Sequence, residues 1–449
     1  MPLIDRNRLH DAMAKEQELF RDRHKASLEM HRGSGRLLSG VPMPWMTRWP
    51  GGSPVYFVEA HGARFTDVDG HEYVDFCMGD TGAMTGHGLE QVAEALYARA
   101  RKGITTMLPS DDALWVADEL ERRFGLPKWQ FAMTATDANR FVIRFARELT
   151  RRPKVAVFDW CYHGSVDETL VVRDAQGATV SRPGVIGQHL DVSLTSVSIP
   201  FNDAVELERV LSKGDVACLL MEPALTNIGI VLPEEGFLDA VRDITRRHGV
   251  MLVIDETHTI CAGPGGCTRE WGLEPDFFVI GKPIGGGMPV ATYGMSAEVA
   301  SRIEDIMAGP TVDVSGVGGT LAGNALAMAA VRATLESTLR DEDFARMIPL
   351  AEAWTDGVRA AYESVGLPWS VQRLGARAEY WFCPPPKNGA AAAAASDAEL
   401  EAFMHLFALN RGVLLTPFHN MALFSPFHVR EDVDRHTVVF DAAVKTLVA

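Results

Sequence analysis

The chain is poor in cysteine, and its cysteines form no pattern that binds or bridges. The six (Cys77, Cys161, Cys218, Cys261, Cys267 and Cys383) are scattered over 449 residues without a CxxC pair, so neither a zinc site nor a disulfide framework is indicated. Reduced, mostly structural thiols and no bound metal are the expectation. Basic charge is short as well: 43 Lys and Arg stand against 59 Asp and Glu, a formal net charge of −16. That balance argues against a general nucleic-acid or anionic-membrane binder and leaves only local basic sites open. Long apolar runs are missing too, since none approaches the roughly 18 to 20 residues of a membrane span. The opening "MPLIDRNRLHDAMAKEQELFRDRHKASLEMHR" is charged throughout and lacks the apolar core of a signal peptide. A cytoplasmic location follows as the expectation.

What is present is an ordinary globular composition, 47% hydrophobic and 23% charged, in a chain long enough for a large domain with a smaller companion. A polar helix is expected to about Ser39, broken by "SGVPMPWMTRWPGGSP". "PVYFVEAHGARFTDVDGHEYVDF" alternates apolar and polar residues around Asp69-Gly70, a hairpin signal. From about residue 110 to 335, short apolar runs ("KVAVFDW", "VACLLMEP", "VMLVIDE", "FFVIGK", "ATYGMS") alternate with helical patterns, the signature of an α/β fold. In "EEGFLDAVRDITRRHG", Phe237, Val241 and Ile244 share one face, acidic residues come first, basic ones last, and Gly249 is the stop. Beyond about residue 336 the pattern changes to helix and mixed strands. There "PPPKNGAAAAAAS" (384–396) reads as a surface loop or the start of a helix, with no function assigned.

Two positions carry chemistry. In "DFFVIGKPIGGGMPVATYGM" the run Phe277 to Ile280 delivers Lys282 to the end of a buried strand. A lysine beside a turn is ordinarily solvated, but at a strand end it loses solvation and becomes a usable nucleophile or Schiff-base former. The run Met251 to Ile254 ends in Asp255-Glu256, so a carboxylate emerges at the end of another buried strand. Alone it reads as a cap. Together the pair suits pyridoxal phosphate, which needs a lysine to hold its aldehyde as an imine and a buried carboxylate to keep the pyridine nitrogen protonated. "FAMTATDANRFVIRFARELT" begins as a strand, turns through Thr134-Ala135-Thr136-Asp137 and continues as a helix, whose first amides and Thr136 hydroxyl could bind a phosphate or form a plain N-cap. "KVAVFDWCYHG" ends in Tyr162-His163-Gly164, a packed loop or a cover for a flat ring. "GVGGTLAGNALAMAAV" offers a second glycine-threonine turn before a helix, with Thr320 as a further phosphate contact.

"VIDETHT", "GKPIGGGMPV", "CYHGSVDETL", "MEPALTNIGIVLPEEGFL" and "GGTLAGNALAMAA" stand in the order found in class III pyridoxal-phosphate-dependent aminotransferases. They look most like the branch containing glutamate-1-semialdehyde aminomutase, over residues 55 to 335 with a weaker echo to the C-terminus. The resemblance implies a type I pyridoxal-phosphate transferase fold: a large domain with a mostly parallel seven-stranded sheet (61–335), a small α+β domain (336–449) and an N-terminal segment packing with it (1–60). It also implies a homodimer with active sites shared at the interface. Lys282 would form the Schiff base, Asp255 would pair with the pyridine nitrogen, and Tyr162 would stack on the ring. Ala135 and Thr136 would hold the phosphate, Thr320 would reach the neighbour's cofactor, and Glu222 would help position it. The activity implied is transfer of an amino group from an amine or amino acid to a keto or aldehyde acceptor. An intramolecular aminomutase of the glutamate-1-semialdehyde type is the alternative, with racemisation or epimerisation also open; a non-catalytic scaffold is the alternative of another class. The chain departs from the family at the phosphate turn, where alanine replaces glycine and position 135 must avoid positive φ. It departs in "DETHT", where the family has Asp-Glu-Val and where Thr257 and His258 are expected to reshape the pocket floor. It departs again where the aminomutase branch has glutamate and this chain has Asn420. Arg48, His163 and Asn420 are the expected substrate contacts.

Overall fold

The apolar runs read from the sequence become the strands of one sheet. The computed structural model describes residues 4–448. In it β1 (Lys128–Ala132), β2 (Lys154–Phe158), β3 (Ser196–Ile199), β4 (Val216–Met221), β5 (Met251–Asp255), β6 (Phe277–Ile280) and β7 (Ala291–Met295) lie in the order β1-β7-β6-β5-β4-β2-β3. β6, β5, β4, β2 and β3 pair in parallel, while β7 runs antiparallel to both β6 and β1. Every residue of β4, β5, β6 and β7 is buried, as expected of strands covered on both faces, which is why they read as continuous apolar runs rather than as alternation. The helix before β5 spans Phe237–His248, buries Phe237, Val241 and Ile244, and ends at Gly249 with φ +60°, a left-handed conformation natural to glycine. Two apolar elements, each buried along its length, thus place their C-terminal residues side by side: Asp255 pairs in register with Val279, and Lys282 follows β6 after one intervening glycine.

Contacts divide the chain into two compact units. The larger holds Glu90–Asp341 together with Pro386–Ala394; the other holds the chain up to Leu89, Glu342–Pro385 and the chain from Ala395 onward. The low-complexity segment supplies the insertion, as a short helix, Gly389–Ala394. It rests on the larger unit: a Cβ on Gly389 would sit only 2.2 Å from the Asp159 carbonyl, and Asn202 donates to the Lys387 carbonyl at 3.0 Å. In the other unit the strands Phe57–His61, Arg64–Asp67 and Glu72–Asp75 form an antiparallel meander whose last member pairs in parallel with Val413–Leu414. That pairing groups the meander with the chain ends. A second sheet there joins Ser370–Leu374, Arg377–Trp381 and Met421–Leu423.

The N-terminal polar stretch is two helices rather than one, Arg6–Arg23 and Lys25–Arg32. His24 leaves the helical region (ψ 48°), and its ring is buried, with Nδ1 at 2.9 Å from the Phe20 carbonyl and Nε2 at 2.7 Å from the Tyr73 hydroxyl. A buried polar ring with both nitrogens partnered is worth the interrupted ladder. Among the described residues no helix is long and apolar enough to cross a membrane.

Candidate active site

Asp255 is anchored from several directions. Its Oδ2 accepts from Asn139 Nδ2 at 2.9 Å and lies 3.0 Å from His163 Nδ1, while Oδ1 accepts from the Thr257 amide at 3.1 Å. The carboxylate is only 4% exposed. Burial opposes its charge, yet the hydrogen bond and charge of His163 outweigh it and draw Asp255 down to about 2. His163 answers in the opposite sense. Burial disfavours the imidazolium, but Cys161 and Asp255 push it up to about 10. The result is a buried ion pair at the end of the central strand, anionic at Asp255 throughout the neutral range.

Beside it, the segment after β6 brings in the lysine. Lys282 sits at φ +46°, a left-handed conformation that costs on the order of 1 to 3 kcal/mol in a non-glycine residue. The following Pro283 disfavours the right-handed helical alternative. Lys282 Nζ lies 2.7 Å from His258 Nε2, and the Gly281 amide donates to Thr257 Oγ1 at 3.2 Å.

The helix α1 (Ala135–Thr150) starts next to this segment. A Cβ on Gly281 would stand 3.1 Å from Ala135 Cβ and 3.3 Å from Ala135 N, so the approach to Lys282 runs against the first turn of α1. Thr134 is the N-cap, accepting from the Asp137 amide at 3.2 Å. Ala135 is absent from the positive-φ residues, so the exchange of glycine for alanine is accommodated as the sequence required. Thr136 Oγ1 accepts from the Ser165 amide at 3.1 Å. Gly164 (φ +80°) approaches Thr136 so closely that a Cβ there would fall 2.1 Å from Oγ1.

An anionic carboxylate, a primary amine and a helix N-terminus cleared by glycine are thereby assembled in one unit. These are the groups a phosphorylated pyridine aldehyde requires: a negative partner for its ring nitrogen, an amine for its carbonyl and backbone amides for its phosphate. The residues present fit that group.

Other expected site residues are placed as follows. Tyr162 is half-buried in the same loop as His163. His163, expected as a substrate contact, is 1% exposed with Nδ1 on Asp255, so its geometry is that of a carboxylate partner. Glu222, at the end of β4, accepts from the Thr226 amide at 2.6 Å and from its hydroxyl at 2.8 Å through Oε2, holding its own loop. Thr320 is exposed in the turn before the helix Ala325–Ser337. Arg48, exposed at the end of the 3₁₀ turn Pro44–Thr47, and Asn420, buried, belong to the unit formed by the chain ends.

Sequence reasoning missed the partners. Asn139 lies in the quoted phosphate-turn segment, one helical turn past its start, and the spacing alone signals that it faces inward with Ala138 and Val142. Glu256, the second acid of "DET", points into the protein, accepting from the Thr268 amide and hydroxyl and from the Cys267 amide at 3.1 Å. Burial pushes its carboxyl up despite these donors. It pins the short helix Gly266–Glu270 and leaves Asp255 as the acid of the site.

The fold and this constellation define a pyridoxal-phosphate enzyme of the aminotransferase type. The chain matches the family model "Aminotransferase class-III" over residues 46–442, and it belongs to that family; its cofactor is pyridoxal phosphate. It is 35% identical over 421 residues to glutamate-1-semialdehyde 2,1-aminomutase of Sorangium cellulosum (strain So ce56), covering 92% of this chain and 95% of that protein. A crystal structure of a glutamate-1-semialdehyde aminomutase from Pseudomonas aeruginosa PAO1 superposes with a TM-score of 0.97 at 48% identity, over 99% of this chain and 100% of that one. A lysine-to-alanine variant of that protein is known in complex with PMP. An omega-transaminase from Sphaerobacter thermophilus superposes with a TM-score of 0.86 at 27% identity, over 94% of this chain and 98% of that one.

Proposed function

We propose that the protein is an intramolecular aminomutase of the glutamate-1-semialdehyde type, moving an amino group between adjacent carbons of one substrate. The observation that carries this reading, against the aminotransferase expected from the residues, is the near-complete likeness to relatives bearing that name, 48% identical with a TM-score of 0.97 in the solved structure. Bound pyridoxal phosphate supplies the electron sink that makes a carbon beside the transferred nitrogen acidic.

The chain's own residues supply the rest. Lys282 would hold the group through Nζ and would carry a proton between carbons, where a positioned base is worth on the order of 10² to 10⁴ in rate. Asp255, kept anionic by His163, sustains positive charge on the ring nitrogen. The amides at the start of α1, with Ala135 and Thr136, would take the phosphate, and the half-buried Tyr162 would cover the ring. Glu222 acts indirectly, by fixing the loop to Thr226. Two chains complete each other's sites in this reading, with Thr320 directed to the neighbour's phosphate, while Arg48 and Asn420 are the residues offered to substrate.

Transamination between separate molecules is the second reading, favoured by Asn420 in place of the aminomutase branch's glutamate. Turnover separates them. The loaded enzyme is given glutamate-1-semialdehyde with no keto acid or other amino acceptor, and product is followed over many turnovers. Sustained formation of an amino ketone with the substrate's carbon skeleton is the expected result. A stoichiometric requirement for a separate acceptor would replace the mutase reading with the transaminase one.

A further inference from the structure

The "DETHT" segment departs from the family's Asp-Glu-Val, and of the departing side chains one reaches the lysine and the other holds the backbone before it. Thr257 Oγ1 accepts the amide of Gly281, the residue before Lys282, at 3.2 Å, and His258 Nε2 stands 2.7 Å from Lys282 Nζ. A valine at 257 has no oxygen to offer. Where Nζ donates, the imidazole presents its Nε2 lone pair and carries its hydrogen on Nδ1. His258 is only 9% exposed, so a charge on it and one on Nζ would face each other across a poorly screened gap.

We propose that His258 is a positioning residue for Lys282: it accepts one Nζ hydrogen, and by doing so aims the amine. This inference rests on the proton-carrying role given to Lys282 above. As a neutral amine, Nζ donates to His258 and directs its lone pair away from the imidazole, and it is this lone pair that takes a proton from a substrate carbon. The C–H electron pair stays on carbon, the new N–H bond forms on Nζ, and the ammonium produced remains hydrogen-bonded to His258 until it returns the proton. The histidine itself gains and loses nothing. Thr257 fixes the backbone behind the lysine, so the side chain pivots between two known anchor points.

The test uses the protein stripped of cofactor and the loaded enzyme. In the stripped protein, lysines are labelled with acetic anhydride at a fixed pH and Lys282 is read by peptide mass spectrometry, with Lys282→Ala to assign the peptide. The reagent must reach Nζ, and an amine held against the His258 ring is reached less easily than one released from it. His258→Phe is therefore expected to label about tenfold faster at Lys282, whereas His258→Gln, whose amide oxygen accepts in the same place, should label like the parent. In the loaded enzyme, His258→Phe should lower kcat about tenfold with KM little changed, and His258→Gln should recover most of it. Unchanged labelling in His258→Phe, or a folded His258→Gln as impaired as His258→Phe, overturns the proposal. If the labelling behaves as expected but glutamate-1-semialdehyde is not turned over, the function assigned above fails while the His258 contact stands.

Discussion

In the unit built from the chain ends, His24, His428 and His436 lie among hydroxyls, carbonyls and aromatic rings, with the Asp67 carboxylate 3.6 Å from His24, and burial is the main force on each. It draws His24 below the ordinary range, His428 to about 4 and His436 to about 3. His428 accepts the Ser425 amide on Nδ1 at 2.9 Å and reaches the Asp75 carbonyl through Nε2 at 3.0 Å, while His436 packs at 4.8 Å from the Trp354 ring and 5.7 Å from Phe440. In the larger unit His163 is as deeply buried and is pushed the other way, by Cys161 and by Asp255 3.0 Å away. The difference is instructive. Keeping a charge in the interior requires an ion partner, and replacing such a pair by apolar residues is often no less stable. A buried pair is therefore weak evidence of stability, and use of the anion is one reason to keep it. The larger unit holds its pair at the end of the central strand beside Lys282; in the other unit these three histidines serve as packing and hydrogen-bonding material, while the buried Glu379 there is held down by His419 and Arg377.

The strongest way to break this comparison is to remove the anion. Asp255→Asn leaves the His163 imidazole buried without its counter-charge and is expected to destabilise the protein by about 3 to 5 kcal/mol. The penalty should depend on pH in a defined way. The depressed Asp255 contributes above its unfolded value near 4 and loses that contribution as pH falls through about 2. The raised His163 contributes fully below its unfolded value near 6.5 and loses that contribution as pH rises through about 10. Urea unfolding of parent and variant should therefore differ most between about pH 4 and 6.5, and less toward pH 10. A gap that stays constant to pH 10 would mean that Asp255 acts as a neutral strand-end cap.

A smaller effect tests the other side. With its folded value near 3, His436 is protonated more readily in the unfolded chain, so its contribution is complete above about 6.5 and is lost as pH falls. The parent should lose on the order of 2 to 4 kcal/mol from this site between pH 6.5 and 4. His436→Phe, which keeps a ring among Trp354, Phe440 and Phe76, should flatten that acid slope in thermal or urea unfolding. An unchanged slope would show that His436 is not the neutral, buried group described.

These contrasts also mark where the sequence was readable. Asp255 and Lys282 could be placed because each closes a continuous apolar run, and a run buried on both faces fixes a strand whose end is exposed to chemistry. The order of strands is a different matter. His163 reaches Asp255 across 92 positions and Asn139 across 116, pairings that depend on which strands lie side by side, and periodicity along one strand carries no information about that. The unit boundary was hidden for the same reason: the meander of 57–75 joins the chain ends through Val413–Leu414, a strand of 2 residues too short to leave a pattern. His258 was noticed only as a departure from a motif, since its partner is set by how the segment after β6 turns at Lys282.

The smallest expected effect concerns Thr320, and it sharpens the comparison by asking whether a site residue must be buried at all. Thr136 is held by Ser165 and crowded by Gly164, whereas Thr320 is exposed in its own chain, in a turn where Gly318 and Gly319 leave open space around their backbone. On the proposal that two chains share each site, that exposed hydroxyl is completed only by a neighbour's phosphate. Thr320→Val should then weaken cofactor retention by about 0.5 to 1.5 kcal/mol, the worth of one hydrogen bond, measured by dialysis against phosphate, with Lys282 chemistry intact. Mixing a Lys282→Ala chain with a chain carrying Thr320→Trp gives the decisive form. In a mixed two-fold dimer, one site collects both defects and the other collects neither, so activity should partly return as subunits exchange. Demonstrated exchange without recovery would assign Thr320 to the structure of its own turn.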